Sequence, residues 1–445
     1  VLDRAYPPPL PDARVRSVEV NDRDGALLRV FAAADGRWRL KAELADVDAD
    51  FLDLLIAYED ERFRAHAGVD PIAMARAFGQ MIANGRVISG GSTITMQLAR
   101  LLEPRPGRTL TAKLLQMARA VQLERRLDKD EILEWYLTLA PYGGNLEGIR
   151  AASLAYYGKE PSSLTLQQAS LLVALPQSPE RRRPDRHAEE ARDASLRVLG
   201  RAADKGLIDR GETARVEGLE FSVSRKPMPA LAAHLAARAR SASPDRLLHQ
   251  TTLLRSRQAS LEAVASEAAE RLGPRLSVAI VMADGSTGTI VAQVGSANHF
   301  DSRRAGWIDM SRAPRSPGST LKPFIYGLAF EEGLVMPETL ISDRPANFSG
   351  YRPRNFDMQF QGDVTVSRAL QMSLNVPAVR LLGAVGPARL TSLLHRGGMD
   401  YRLPMTDQPG LSIGLGGIGT SPVSYTHLTL PTKCRKCVCG WGGGG

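Results

Sequence analysis

From about Asp50 to Leu207, apolar residues recur at helical spacing almost without a break, and past residue 270 that period gives way to strand-like runs. Phe51, Leu54, Leu55 and Tyr58 share one face; so do Met74, Phe78, Met81 and Ile82, and later Leu110, Leu114, Met117 and Val121. Residues 277–282 and 289–295 are β-rich and flank Asp284-Gly-Ser-Thr-Gly, the pattern of a hairpin. One sheet or one bundle cannot accommodate both periods. The change predicts a mostly helical domain followed by an α/β domain, and 445 residues suffice for both. Ahead of the helical part, residues 15–20 and 27–31 read as strands after a Pro-rich start.

A hydrophobic fraction of 43% with a net charge of +9 excludes a disordered chain. The positive excess suits an anionic partner such as phosphate, lipid head groups or nucleic acid. Arg181-Arg-Arg183 is the longest arginine run, and no nucleic-acid motif accompanies it, so no nucleic-acid partner is expected. No apolar run reaches the roughly 18 uncharged residues of a membrane span. All 3 cysteines (Cys434, Cys437 and Cys439) lie in the last twelve residues, a distribution that fits an oxidising compartment. Residues 424–445 share no composition with the rest and end in four glycines, which suggests a foreign or frame-shifted tail. Cys434-x-x-Cys437 has no second pair, so no metal ligands are assigned there.

Four segments carry chemistry in the helical part. Glu59-Asp60-Glu61-Arg62-Phe63-Arg64-Ala65-His66-Ala67-Gly68 ends an amphipathic helix with carboxylates beside a histidine. Ser89-Gly-Gly-Ser92-Thr93-Ile-Thr-Met-Gln97 offers backbone N–H groups and hydroxyls at a helix start. Between Arg108 and Glu124, Lys113 and Gln116 share a polar helical face. Lys129-Asp-Glu-Ile-Leu-Glu-Trp-Tyr-Leu137 then leads into Pro141-Tyr-Gly-Gly144.

In this order and spacing the four resemble the peptidoglycan glycosyltransferase domain (family 51) of class A penicillin-binding proteins. The first motif is intact. The second carries Met96 for a glutamine and the fourth Thr138 for an asparagine; the third departs most, with Ala112 for an arginine and Gln116 for a glutamate. The likeness runs on through Gly158-Lys159 and Leu175-Pro-Gln-Ser-Pro179, covering about residues 45–205. It implies a lysozyme-like fold, Glu59 as catalytic base, and lipid II and the growing glycan strand as substrates. Asp60, His66, Ser92, Thr93, Gln97, Arg100 and Lys113 would bind the diphosphate sugar. The family's glutamate at position 116 orients substrate or a divalent cation, Mg or Mn. An amide at Gln116 can orient but supplies no charge, which puts a cation requirement in question.

In the second part, Arg315-Ser-Pro-Gly-Ser319-Thr-Leu-Lys322-Pro holds S-x-x-K, with Lys322 spaced to take a proton from the Ser319 hydroxyl. Pro323 places this at a helix N-terminus. Ser373-Leu-Asn375 follows, matching the S-x-N of penicillin-binding transpeptidases. The resemblance makes Ser319 the nucleophile, Lys322 its base, Ser373 a proton relay and Asn375 their companion, with peptide stems and β-lactams as ligands. The third element of that family, K-T-G on a late strand, is absent; the only lysines after Lys322 are Lys433 and Lys436. An incomplete transpeptidase domain with open strand edges is therefore expected.

The divisions expected are a juxtamembrane β-rich segment 1–44, the glycosyltransferase domain 45–207, a linker 208–270, the transpeptidase part 271–423 and the tail 424–445. The resemblance places the protein at the membrane surface, on the periplasmic side of a bacterial inner membrane, with its anchor upstream. Two rivals remain open on residues alone. Glu59 also suits a muramidase, although Gln116 denies it an obvious second carboxylate. The Gln116 change and the incomplete second domain also suit a non-catalytic cell-wall scaffold.

Overall fold

A computed structural model describes residues 6–76, 91–104, 109–403 and 408–428. Phe78, Met81, Ile82, Ser89, Arg108 and the three cysteines, on which some expectations fall, lie outside them. The chain forms two compact units. One comprises Val1–Asn21, Leu27–Ala230 and Ala239–Gln250; the other comprises Asp22–Ala26, Leu231–Arg238 and Thr251–Gly445.

In the first unit, β1 (Val18–Asn21) pairs antiparallel with β2 (Leu27–Phe31), Val18 opposite Phe31. A short parallel pair joins β3 (Trp38–Arg39) to β4 (Leu146–Glu147), and β5 (Leu248–Gln250) runs parallel to β1 on its other edge. The helices are α1 (Ala49–Glu59), α2 (Ile94–Leu102), α3 (Leu110–Glu124), α4 (Lys129–Leu139), α5 (Ile149–Tyr157), α6 (Leu166–Ala174) and α7 (Ala188–Asp204). After them comes α8 (Arg210–Glu217), and α9 (Ala233–Ala242) is divided between the two units at Arg238 and Ala239.

Side chains start these helices where the sequence supplies a cap. Asp48 accepts from Phe51 N, Thr93 from Met96 N, and Asp128 and Thr165 complete capping boxes with Glu131 and Gln168. Phe51, Leu54 and Leu55 of α1 pack with Ile94 and Leu98 of α2, and with Ile132, Tyr136 and Leu137 of α4. The central helices α5 and α6 are buried almost all round, at the middle of this core.

Helix α3 turns a different face inward than its apolar spacing predicts. Leu114 is 65% exposed, while Ala120 and Leu123 are buried. The helix carries apolar residues on two faces, and its outer part forms a rim of the cleft instead of packing on the core. Gly68 explains why its inner part sits close: at φ +93°, a Cβ there would lie 2.7 Å from the Ala120 carbonyl carbon.

The second unit begins with α10 (Arg255–Leu272) and the expected hairpin, β6 (Ile280–Ala283) antiparallel to β7 (Ile290–Val294). Asp284 closes it by accepting from Ser286 N and Thr287 N at 2.9 and 3.0 Å. Gln258 of α10 is buried and grips β7 through both hydrogen bonds of the Gln293 backbone. Among the described residues no third strand joins this hairpin. A separate apolar core gathers α11 (Lys322–Glu331), α12 (Val366–Gln371), α13 (Asn375–Val385) and α14 (Pro387–Arg396), beside the antiparallel pair β8 (Leu340–Asp343) and β9 (Gly362–Thr365).

Candidate active sites

Glu59 is the last residue of α1, and its carboxylate is held by two amides. Gln97 Nε2 donates to Oε2 at 2.8 Å and Gln177 Nε2 donates to Oε1 at 2.7 Å. Burial pushes the Glu59 carboxyl above its ordinary range; the two amides, Arg201 and Arg182 pull the other way. Gln97 is itself fixed by the buried Tyr136, whose hydroxyl donates to Gln97 Oε1 at 3.3 Å.

Asp60, His66 and Thr93 form a buried frame behind this carboxylate. His66 Nε2 lies 3.1 Å from both Asp60 oxygens, and Gly68 N donates to Nδ1 at 3.2 Å, so Nε2 carries the proton given to Asp60. Asp60 also accepts from Ile94 N at 2.9 Å, and Thr93 Oγ1 donates to Gly68 O at 2.6 Å. The loop after α1 is thereby tied to the first turn of α2. Burial raises the Asp60 carboxyl.

Other expected residues meet these in one cleft of about 1010 Å³, whose walls include Glu59, Ser92, Gln97, Arg100, Lys113 and Gln116. Lys113 Nζ donates to Ser92 Oγ. Burial, then the Arg100 guanidinium, push the Lys113 ammonium below its ordinary range. Arg100 is exposed at the rim. Gln116 Nε2 donates to Met96 O at 2.6 Å. As a cation site this wall fits poorly: Gln116 is a neutral amide, and among the described residues no three His, Cys, Asp or Glu side chains converge.

In the second unit, Ser319 lies in the 3-10 turn Gly318–Leu321, and α11 opens with Lys322 and Pro323 as expected. The ammonium of Lys322 is buried. It donates to Ser373 O, to Ser373 Oγ at 3.0 Å and to Asn375 Oδ1 at 2.7 Å, and burial pushes it down to about 8. The expected Lys322–Ser319 hydrogen bond is not among these. A buried ammonium needs several acceptors, which residues 373–375 supply, while Ser319 stays exposed. Ser373 sits at φ +53°, a conformation costly for serine. Asn375 is wired further: its N–H donates to Asn355 Oδ1 at 2.8 Å, and Asn355 Nδ2 donates to both oxygens of the buried Asp343. Gly416, at φ +89°, lets residues 411–417 approach the serine turn; a Cβ there would lie 2.4 Å from Gly318 N.

Gln177, Tyr136, Asn355 and Asp343 were not singled out from the sequence. For Gln177 the signal was available, a polar residue inside Leu175-Pro-Gln-Ser-Pro179. For Asn355 and Asp343 there was none.

A transglycosylase family model matches residues 24–203, and a penicillin binding protein transpeptidase domain model matches residues 278–415. Penicillin-binding protein 1C of Escherichia coli is 44% identical over 438 residues, covering 98% of this chain and 56% of that protein. Penicillin-binding protein 1F of Bacillus subtilis is 30% identical over 404 residues, covering 86% and 55%. Penicillin-binding protein 1A of Streptococcus pneumoniae is 29% identical over 389 residues, covering 82% and 54%. The chain thus spans just over half the length of these relatives. With a transglycosylase domain followed by a transpeptidase domain, and this likeness along nearly its whole length, the chain belongs to the class A penicillin-binding proteins.

Proposed function

We propose that the first unit polymerises lipid II into glycan strands, and that the second is a serine acyl-transferase of the DD-transpeptidase type, incomplete in these 445 residues. One observation carries the first reading: a partly desolvated carboxylate, Glu59, lines the same cleft as the Lys113–Ser92 pair and Arg100. In glycosyl transfer the acceptor hydroxyl gives its proton to Glu59. Its oxygen bonds to the donor's anomeric carbon, and the bond from that carbon to the diphosphate breaks. Raising the carboxyl improves the base. Lys113 and Arg100 offset the charge that grows on the departing diphosphate, and Ser92 holds Lys113 in place. A lipid-linked donor puts the reaction at a membrane surface, read here as the periplasmic face of the inner membrane. Among the described residues no helix is long and apolar enough to cross a membrane.

The test is product analysis on labelled lipid II. Polymer supports transfer, whereas short fragments cut from preformed glycan would support a muramidase. Glu59→Gln keeps shape and removes basicity, so the rate should fall about 10²-fold or more. Near-full polymerisation by a folded Glu59→Gln protein would overturn the assignment.

A further inference from the structure

Leu175-Pro-Gln-Ser-Pro179 contains a residue that the reaction above leaves without a task, yet its amide touches the base. Gln177 ends the 3-10 turn Leu175–Gln177 that follows α6, 118 residues from Glu59 along the chain. Its Nε2 donates to Glu59 Oε1 while Gln97 donates to Oε2, so each carboxylate oxygen has one amide partner. Gln177 is braced in turn. Its Oε1 accepts from Arg182 Nη1 at 3.3 Å and from the Tyr58 hydroxyl at 3.4 Å. Arg182 is anchored to Ala174 O at 2.6 Å, and the Arg201 guanidinium lies 4.7 Å from the Tyr58 ring centre.

The Gln177 side chain is exposed, so core packing does not account for where it points. An exposed amide adds little to stability. A hydrogen bond to a carboxylate, by contrast, sets the rotation of the carboxylate plane and hence the direction of the lone pairs left for a proton. With both oxygens engaged, the plane is set by two elements distant in sequence.

We propose that Gln177 is a positioning residue for Glu59, the second arm of a two-amide clamp that aims the carboxylate at the acceptor hydroxyl. This rests on Glu59 being the base of glycosyl transfer. The clamp explains why a carboxylate can be desolvated, and so made more basic, without losing its orientation. The charged and titratable groups facing Glu59 are Arg182 after the turn, Arg201 of α7, Tyr136 of α4 and Tyr142 just beyond it. The amide of Gln177 favours the ionised form, and its loss must raise the Glu59 midpoint.

The experiment uses the full chain labelled with 13C at the glutamate carboxyls, with the Glu59 signal identified by its loss in Glu59→Gln. The same proteins are assayed for lipid II polymerisation across pH. Gln177→Ala should raise the Glu59 midpoint, and the acid limb of the rate profile, by about half to one pH unit. Gln177→Glu should raise both further by like-charge repulsion, and Gln177→Lys should lower both. In Gln177→Ala, kcat should fall about tenfold with KM nearly constant, because orientation is lost and substrate contacts are not. Thermal melting should be unchanged in all three. The proposal is overturned if the variants titrate with the wild-type midpoint, or if Gln177→Glu and Gln177→Lys shift it in the same direction. A wild-type chain that yields no polymer fails the reading of the reaction, while the carboxyl titration still decides the clamp.

Discussion

Gln116 and Lys113 lie on the same face of α3, and only one of them is charged. Gln116 donates to Met96 O, tying α3 to α2 near the point where Lys113 meets Ser92. Truncation to alanine leaves that carbonyl without its side-chain donor and frees the Lys113 wall, so Gln116→Ala should lower polymerisation five- to tenfold, about 1 kcal/mol. Gln116→Glu has a different consequence: a carboxylate then faces a carbonyl oxygen with no donor between them. That pair is a ligand set for a hard cation, so Gln116→Glu should need added magnesium or manganese and lose activity in chelator, whereas wild type should not. The measurement is the lipid II rate with and without EDTA. Equal rates and equal cation response in all three proteins would reduce Gln116 to a space-filler. The residue type here was legible from the sequence, and so was its neighbour Lys113. The Met96 bond was not, because it is made by the backbone of another helix.

At the scale of elements, the join between α1 and α2 is the device that holds Glu59. Asp60, His66, Gly68 and Thr93 are three donor–acceptor steps in a row, and the direction of each step is forced by the next. Asp60→Asn breaks that order. Its amide N–H₂ would face His66 Nε2–H, and turning the imidazole to accept would set Nδ1–H against Gly68 N–H. One buried donor is left unpaired either way, at a cost of about 1–3 kcal/mol. Urea unfolding of the first unit's transition should show that loss, with polymerisation falling only as far as the folded fraction falls. Full stability with abolished activity would instead make Asp60 a substrate ligand, as the motif resemblance alone implies. Helical periodicity foresaw α1 and its buried face, and Pro323 foresaw where α11 begins. Periodicity misjudged α3 because Leu114, Met117 and Val121 compete with Ala120 and Leu123 for the inward side, and only packing against Gly68 decides. Gln177 stood inside the quoted Leu175-Pro-Gln-Ser-Pro179 segment, but that segment does not say which of its residues will meet the tip of α1.

Across the whole chain, the two units differ in how completely the sequence furnishes their sites. In the first, Glu59, Lys113 and Arg100 line one cleft. The second has Ser319 exposed, Lys322 buried on Ser373 and Asn375, and no K-T-G in the 445 residues. Spacing foretold the Ser319–Lys322 turn but not the partner that Lys322 prefers. On the proposed reading, acylation has Lys322 release that grip and take the Ser319 proton while the substrate's carboxylate end is held beside an oxyanion hole, and in the family resembled the K-T-G strand does the holding. Losing positioning alone accounts for several kcal/mol of barrier. Incubated with a fluorescent penicillin, the 445-residue chain should therefore label negligibly at Ser319 within a time that labels a version extended through a K-T-G strand. The extended protein's labelling should vanish in Ser319→Ala. Its rate should also climb as pH rises through about 8, where the Lys322 ammonium loses its proton and becomes a base. A rate flat from pH 6.5 to about 9.5 would mean that another group takes the serine proton. Stoichiometric labelling of the 445-residue chain would mean that the groups now around Ser319 already suffice.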